Sequence, residues 1–67
     1  VGQIWRHYKG KYYKLLVFCI HSETAEELVV YERQEDGNTY ARPIDLFFQQ
    51  VEWEGKTVPR FTFVSDN

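Results

Sequence analysis

Three arginines in this 67-residue chain stand where a guanidinium group could bind an anion. Arg42 and Arg60 each adjoin a rigid proline, and Arg6 adjoins a tryptophan. A guanidinium can hold a carboxylate or a phosphate through two parallel hydrogen bonds, and it can also stack on aromatic rings. The three arginines are therefore candidates for anion binding, although cation–π packing and pairing with the ten acidic residues are more common uses of arginine.

His7 and His21 are the two histidines of the chain, and each lies at the end of a predicted strand. They could meet across a hairpin, and together with Glu23 they would have the chemistry of a metal site. However, the sequence has no close-spaced set of ligands, and a structural zinc ion normally takes four ligands that usually include thiolates. We therefore expect no metal and no cofactor, and we favour histidines in polar loops that are bonded to backbone groups.

The run His21-Ser22-Glu23-Thr24 contains a base, two hydroxyls and a carboxylate. Hydrolases hold such groups within hydrogen-bond reach of one another, but neighbouring residues on a strand point to opposite sides. Serine, threonine and acidic residues also bond readily to backbone groups in loops. The run is thus more typical of a capped loop than of a catalytic triad, and Cys19, in an apolar run, is expected to be inert. We expect that the protein is not an enzyme.

Short strands must position these side chains. Residues 4–8 are rich in aromatic and β-branched side chains and predict a first strand. Residues 12–20 are nearly continuous apolar sequence and predict a strand that is buried on both faces. Asp36-Gly37-Asn38 is typical of a hairpin turn. Further strands are predicted at residues 28–31, 39–42, 51–53 and 57–64, with one or two helical turns at residues 43–49.

Five or six short antiparallel strands with closely spaced turns and one short helical turn indicate a mainly all-β fold. We expect residues 1–67 to form one small, partly open β-barrel, which by analogy is SH3-like. Twelve aromatic residues can supply a dense core for so short a chain.

Composition and charge exclude several classes of protein. One cysteine cannot form an intramolecular disulfide, which favours a cytoplasmic protein, and no apolar run is long enough to predict a membrane span. Residues 1–21 hold four basic and no acidic residues, whereas residues 22–36 hold six acidic residues and one basic residue. This asymmetry favours complementary charges on neighbouring strands over a basic patch, and the net charge of −2 disfavours strong nucleic-acid binding.

The chain resembles a known family in five short motifs and in the order of these motifs. These motifs are His7-Tyr8-Lys9-Gly10, His21-Ser22-Glu23-Thr24, Leu28-Val29-Val30-Tyr31, Arg42-Pro43 followed by Phe47, and Pro59-Arg60-Phe61. Together they make the chain resemble the small bacterial family called domain of unknown function 1653, over residues 2–63. The resemblance implies a stand-alone bacterial cytoplasmic domain with a compact β-rich fold, and it implies no activity. Two positions depart from the family pattern, namely Phe47, where methionine is common, and Ile20, where a polar residue is expected.

The polar positions within these motifs are more typical of binding than of packing. These positions include Lys9, and the candidate ligand-binding residues are Arg6, His7, Tyr8, His21, Ser22, Glu23, Thr24, Arg42 and Arg60. Our leading hypothesis is a binding module for a small anionic ligand or a peptide carboxylate, with Tyr8, Tyr31 and Tyr40 as walls. Its polar patch would consist of Arg6, His7, His21, Arg42 and Arg60. The alternative is RNA or single-stranded DNA binding on an aromatic barrel face, and a small enzyme is the third interpretation.

Overall fold

The computed structural model describes residues 2–66, which form seven β-strands and one short helix. The elements are β1 (Ile4–His7), β2 (Tyr12–Ile20), β3 (Glu27–Arg33), β4 (Thr39–Pro43), α1 (Ile44–Phe47), β5 (Gln50–Trp53), β6 (Lys56–Pro59) and β7 (Phe61–Ser65). The one helix in this part of the chain is not long and apolar enough to cross a membrane.

Five of the strands form one antiparallel sheet in the order β4-β3-β2-β1-β7, and β5 and β6 form a separate hairpin. The predicted mainly β fold of short antiparallel strands with one helical turn is confirmed, with seven strands instead of five or six. Within residues 2–66, the edge strands β4 and β7 do not pair with each other. The sheet is therefore open and does not close into a barrel.

The β3–β4 hairpin turns where the sequence predicts it. Gly37 has a φ of 74°, a left-handed conformation that glycine adopts without steric cost. The Asp36 carboxylate accepts hydrogen bonds from the backbone N–H of Asn38 at 3.0 Å and from its side-chain amide at 3.1 Å. These bonds fix the turn and, with it, the register that pairs Tyr31 with Tyr40.

The core lies between one face of the five-stranded sheet and α1. Its buried side chains are Leu15, Val29, Tyr31, Phe47 and Phe61. Phe47 is fully buried, and its ring stacks on that of Phe61 with a centroid separation of 4.1 Å and an interplanar angle of 6°. Trp5 and Tyr31 meet the same ring edge-to-face, at 5.7 and 5.3 Å. One side chain of α1 thus joins the helix to three strands of the sheet, β1, β3 and β7.

The prediction that β2 is buried on both faces is wrong. Leu15 is buried, but Val17, Phe18 and Ile20 are 47%, 49% and 59% exposed. The pairing of β2 with β3 shifts its register between Leu15 and Val17, which marks a bulge. A single turn of helix covers too little of an open sheet to bury both faces of a nine-residue strand, so the far half of β2 faces solvent.

The strand predicted over residues 57–64 is two strands that belong to different sheets. β6 ends at Pro59, which has no N–H to continue a ladder, and β7 begins at Phe61. Between them, Arg60 donates its backbone N–H to the carbonyl of Gln49 and accepts from the backbone N–H of Tyr8, both at 2.9 Å. Arg60 therefore marks the point at which the chain passes from the hairpin to the main sheet.

Replacement of Phe47 tests the role of this ring in the core. We expect Phe47→Ala to lower the free energy of unfolding by about 3–5 kcal/mol, because it removes a fully buried ring, and Phe47→Met to cost less than about 1.5 kcal/mol. Urea denaturation followed by circular dichroism measures both. Leu46→Ala, on the same helix at a position 39% exposed, is the matched control. If Phe47→Ala lowers the free energy of unfolding no more than Leu46→Ala does, the Phe47 ring does not have this role in the core.

Candidate ligand-binding site

A depression of about 120 Å³ opens on the face of the main sheet that carries the core. It is lined by His7, Tyr13, Tyr31, Arg33, Tyr40, Arg42 and Phe61. Directly opposed residues of an antiparallel pair share one face of the sheet, and most of this lining consists of such pairs. Tyr31 opposes Tyr40, and His7 opposes Phe61. The register of the sheet alone therefore brings residues distant in sequence to one place.

Arg42 is held in the depression by a tyrosine. Its Nε donates a hydrogen bond to the hydroxyl oxygen of Tyr31 at 3.1 Å, and Tyr31 is only 4% exposed. Among residues 2–66, no hydrogen bond or ion pair engages the two terminal nitrogens of Arg42. The guanidinium is thus anchored on one side, and its terminal N–H groups remain available to an acceptor.

Arg33 already has a counter-ion. Two of its nitrogens donate to the Asp36 carboxylate at 2.6–3.1 Å, which raises the pKa of Arg33 and lowers the pKa of Asp36 to about 2. The guanidinium carbon of Arg33 also lies 5.2 Å from the centre of the Tyr40 ring. The charge of Arg33 is therefore largely compensated, and its main effect is to hold Tyr40 at the rim of the depression.

His7 is half-buried and surrounded by cations. Its Nδ1 accepts the backbone N–H of Lys9 at 3.1 Å, so the neutral imidazole carries its hydrogen on Nε2. Burial lowers the pKa of His7, and the positive charges of Arg42, Arg60 and Lys9 lower it further. At neutral pH the ring is uncharged and offers one N–H donor.

Arg60 lies beside the depression and does not line it. Its Nε donates to the carbonyl oxygen of Leu46 at 3.1 Å, and a terminal nitrogen donates to the side-chain oxygen of Gln49 at 3.0 Å. These hydrogen bonds join the connection between β6 and β7 to the end of α1. Because both acceptors are uncharged, Arg60 still contributes an uncompensated positive charge near His7.

Arg6 and Tyr8 belong to a different surface. Arg6 opposes Thr62 in the β1–β7 pair, one residue away from the pair of His7 and Phe61. Because consecutive strand residues point to opposite faces, Arg6 points away from the face that carries His7. Both Arg6 and Tyr8 line a separate groove beside the β5–β6 hairpin.

The run His21-Ser22-Glu23-Thr24 lies at the far end of β2 and forms a local loop. The Nδ1 of His21 accepts the backbone N–H groups of Glu23 and Thr24 at 3.1 and 3.4 Å. The hydroxyl of Thr24 accepts the backbone N–H two residues further on, at 3.2 Å. Two side chains of the run, His21 and Thr24, thus accept hydrogen bonds from the backbone of the loop itself.

The two histidines do not meet, so the idea that they approach each other across a hairpin is wrong. His7 donates its backbone N–H to Lys11, just before β2 begins, whereas His21 follows the last residue of β2. The antiparallel pairing of β1 with the first part of β2 places them at opposite ends of that strand. In the described part of the chain, no three His, Cys, Asp or Glu side chains are grouped closely enough to hold a metal ion.

A family model described as "Protein of unknown function (DUF1653)" matches residues 3–63. The chain belongs to the DUF1653 family. Its structure is similar to the crystal structure of a family member from Bordetella bronchiseptica, with a TM-score of 0.88 and 29% sequence identity over 97% of this chain and 87% of that one. No curated protein matches the chain. The fold is thus that of the DUF1653 family, while any function has to be argued from the site.

Sequence reasoning on this DUF1653 chain missed three residues that line the depression, Tyr13, Arg33 and Phe61. A usable signal was present, because residues two apart on a strand share a face. Tyr31 and Arg33 are two apart on β3, just as Tyr40 and Arg42 are on β4. Once the hairpin turn is placed, this alternation puts all four on one side of the sheet.

The titration of His7 tests the electrostatics of the site. We expect its pKa to lie below the ordinary value of 6.5 and to rise in Arg42→Met, because a neighbouring positive charge is removed while the burial remains. Histidine-selective NMR across pH 4–9 measures it, and Lys56→Met, which changes the same charge on the hairpin, is the control. Equal pKa values of His7 in the two variants would show that Arg42 does not act on it.

The same shift predicts how stability depends on pH. The unfolded chain protonates His7 at about 6.5, whereas the folded chain does so at lower pH, so the unfolded state binds more protons between these values. His7 thus makes the free energy of unfolding fall as pH drops from about 7 towards 5. Urea denaturation at both pH values should show a smaller fall in His7→Gln than in the parent protein. His21→Gln is the matched control. If the free energy of unfolding falls between pH 7 and pH 5 as much in His7→Gln as in His21→Gln, the prediction is wrong.

Proposed function

We propose that this protein is a small binding module for an oxyanion, namely the carboxylate of a peptide C-terminus or a small phosphate, held in the depression around Arg42. The anchored guanidinium of Arg42 is the observation that carries the proposal, because Tyr31 fixes its Nε and leaves the terminal N–H groups to a ligand. Hydrogen bonds to charged groups contribute more than neutral ones, and a fixed guanidinium loses less conformational entropy on binding.

The charges around the depression support this proposal. No carboxylate lines the depression, and Asp36, which pairs with the lining residue Arg33, is engaged in that ion pair. Arg60 has only uncharged hydrogen-bond partners among the described residues, and Lys9 also acts on His7. The local field is therefore positive although the whole chain carries a net charge of −2, and a bound anion would relieve it.

The size and walls of the depression limit the ligand. About 120 Å³ accommodates a carboxylate or phosphate group and a few further atoms, which is less than the roughly 300 Å³ at which pockets for whole small molecules begin. The rest of a ligand would lie across the rim, where Tyr40 is 36% exposed and offers a flat, rigid surface. This geometry suits the end of a chain better than a compact metabolite.

His7 would couple binding to pH. In the empty site, burial and the neighbouring cations disfavour its protonation, whereas a bound anion would favour it. By linkage, an anion that raises the pKa of His7 binds more tightly as the pH falls. Such a module would retain its ligand better under mildly acidic conditions.

We also propose that this module acts in the bacterial cytoplasm. The chain has a single cysteine, Cys19, and a family member of known structure comes from a bacterium. A domain of this size with one thiol suits a reducing compartment.

Isothermal titration with three probes tests the proposal: inorganic phosphate, an N-acetylated dipeptide with a free C-terminal carboxylate, and the same dipeptide as its C-terminal amide. We expect at least one of the two anionic probes to bind and the amide not to bind. Arg42→Gln should weaken binding about tenfold or more, the equivalent of a lost charged hydrogen bond. Arg6→Gln, which removes the same charge from the other surface, is the matched control and should change the affinity little.

The pH dependence is measured with the carboxylate probe, whose own charge is constant between pH 6 and 8. Binding should be tighter at pH 6 in the parent protein and independent of pH in His7→Gln. Binding of neither anion, or equal weakening by Arg6→Gln and Arg42→Gln, would overturn the proposal. Tight binding of a single-stranded oligonucleotide with a steep loss of affinity in salt would instead support the nucleic-acid alternative.

A further inference from the structure

A second concave surface lies beside the β5–β6 hairpin, on the side of β1 opposite the depression. It is a groove of about 390 Å³ lined by Arg6, Tyr8, Trp53, Val58, Pro59 and Thr62. Arg6 and Thr62 are opposed residues that point away from the face of His7 and Phe61. The groove is therefore separate from the oxyanion site and shares none of its lining residues.

Two aromatic rings, a valine and a proline make up the apolar part of the groove. The rings of Tyr8 and Trp53 meet edge-to-face with centroids 5.2 Å apart, and Trp53 is 39% exposed. Tyr8 is held from its other side, because His7 stacks on it at 4.5 Å. The two rings thus form a rigid pair of walls next to Pro59, and another flat or ring-shaped group can pack against them.

Trp53 also offers an unused hydrogen-bond donor. Within the part of the chain that the structure describes, its indole N–H has no acceptor, whereas the indole N–H of Trp5 donates to Gln3 at 3.2 Å. An indole N–H beside an apolar groove can donate to a backbone carbonyl of a bound chain. The groove therefore combines ring-shaped walls with one directed donor.

The charged side chain that lines the groove, that of Arg6, is positive. Arg6 is exposed at its edge, and Lys56 opposes Trp53 in the hairpin and so lies on the same face. The ammonium group of Lys9 lies 5.8 Å from the centre of the Tyr8 ring. No acidic side chain lines the groove. Its complement is an acidic ligand.

We propose that this groove binds an extended segment of a partner protein in which prolines flank an acidic residue. Proline rings pack on aromatic walls, and the polyproline II conformation has no internal hydrogen bonds, so its carbonyls can accept from the indole of Trp53. The acidic residue pairs with Arg6 and Lys56. The two prolines of the given sequence, Pro43 and Pro59, are both within its own fold, so neither of them supplies the segment.

The probe is the peptide Pro-Pro-Asp-Pro-Pro, acetylated and amidated so that it has no free carboxylate for the oxyanion site. Two control peptides replace either the four prolines by alanine or the aspartate by lysine. NMR titration of the full chain should shift the indole N–H signal of Trp53 and leave that of Trp5 unchanged. Both control peptides should bind more weakly than the probe.

Three variants test the contacts. Trp53→Phe keeps a ring and removes the donor, and we expect it to weaken binding about fivefold, the equivalent of one neutral hydrogen bond. Arg6→Glu should reverse the preference, so that the lysine peptide binds better than the aspartate peptide. Arg42→Gln should leave peptide affinity unchanged, so failure of this proposal and failure of the oxyanion proposal are distinguishable.

The proposal is overturned if the Trp53 indole signal does not move at millimolar peptide, or if the aspartate and lysine peptides bind equally well. A Trp53 signal that shifts on dilution of the protein alone would also overturn it, because a second copy of the chain would then occupy the groove. Selective shifts at Trp53 with reversal in Arg6→Glu would establish the site.

Discussion

The stacking of Phe47 on Phe61 is the contact on which the rest of this small fold depends. Helix α1 is a single turn without a side-chain hydrogen bond at its N-terminus, so the packing of Phe47, together with the hydrogen bond from Arg60 to the Leu46 carbonyl, holds it in place. Phe61 also forms part of the wall of the depression, and Tyr31, which anchors Arg42, meets Phe47 edge-to-face. The core and the candidate site therefore share residues, and the position of Arg42 follows from the packing of one ring.

An open sheet lets one strand serve two surfaces. Within β1, His7 belongs to the depression while its neighbour Arg6 faces the groove beside the hairpin. A closed barrel would have enclosed one of these faces, whereas this sheet is covered on one side by only a turn of helix. The exposed apolar side chains of β2, including Phe18, follow from the same incomplete cover.

The features that the sequence predicts correctly are those that depend on residues close together in the chain. The strand over residues 12–20 and the turn at Asp36-Gly37-Asn38 depend on neighbouring residues, and the structure has both at the predicted positions. The exposure of β2 and the separation of His7 from His21 depend on strand order, which local patterns do not encode. In the same way, its residue type alone marks Arg42 as a candidate for anion binding. Its hydrogen bond to Tyr31, however, depends on the register of β3 with β4.

A crystal structure of the protein with para-bromobenzoate would test the central claim most directly, because the bromine locates the ligand by anomalous scattering. The account predicts that the carboxylate lies within hydrogen-bond distance of the terminal nitrogens of Arg42, with the ring against Tyr40 at the rim. Bromine bound only elsewhere on the protein, with the guanidinium of Arg42 unoccupied, would contradict it.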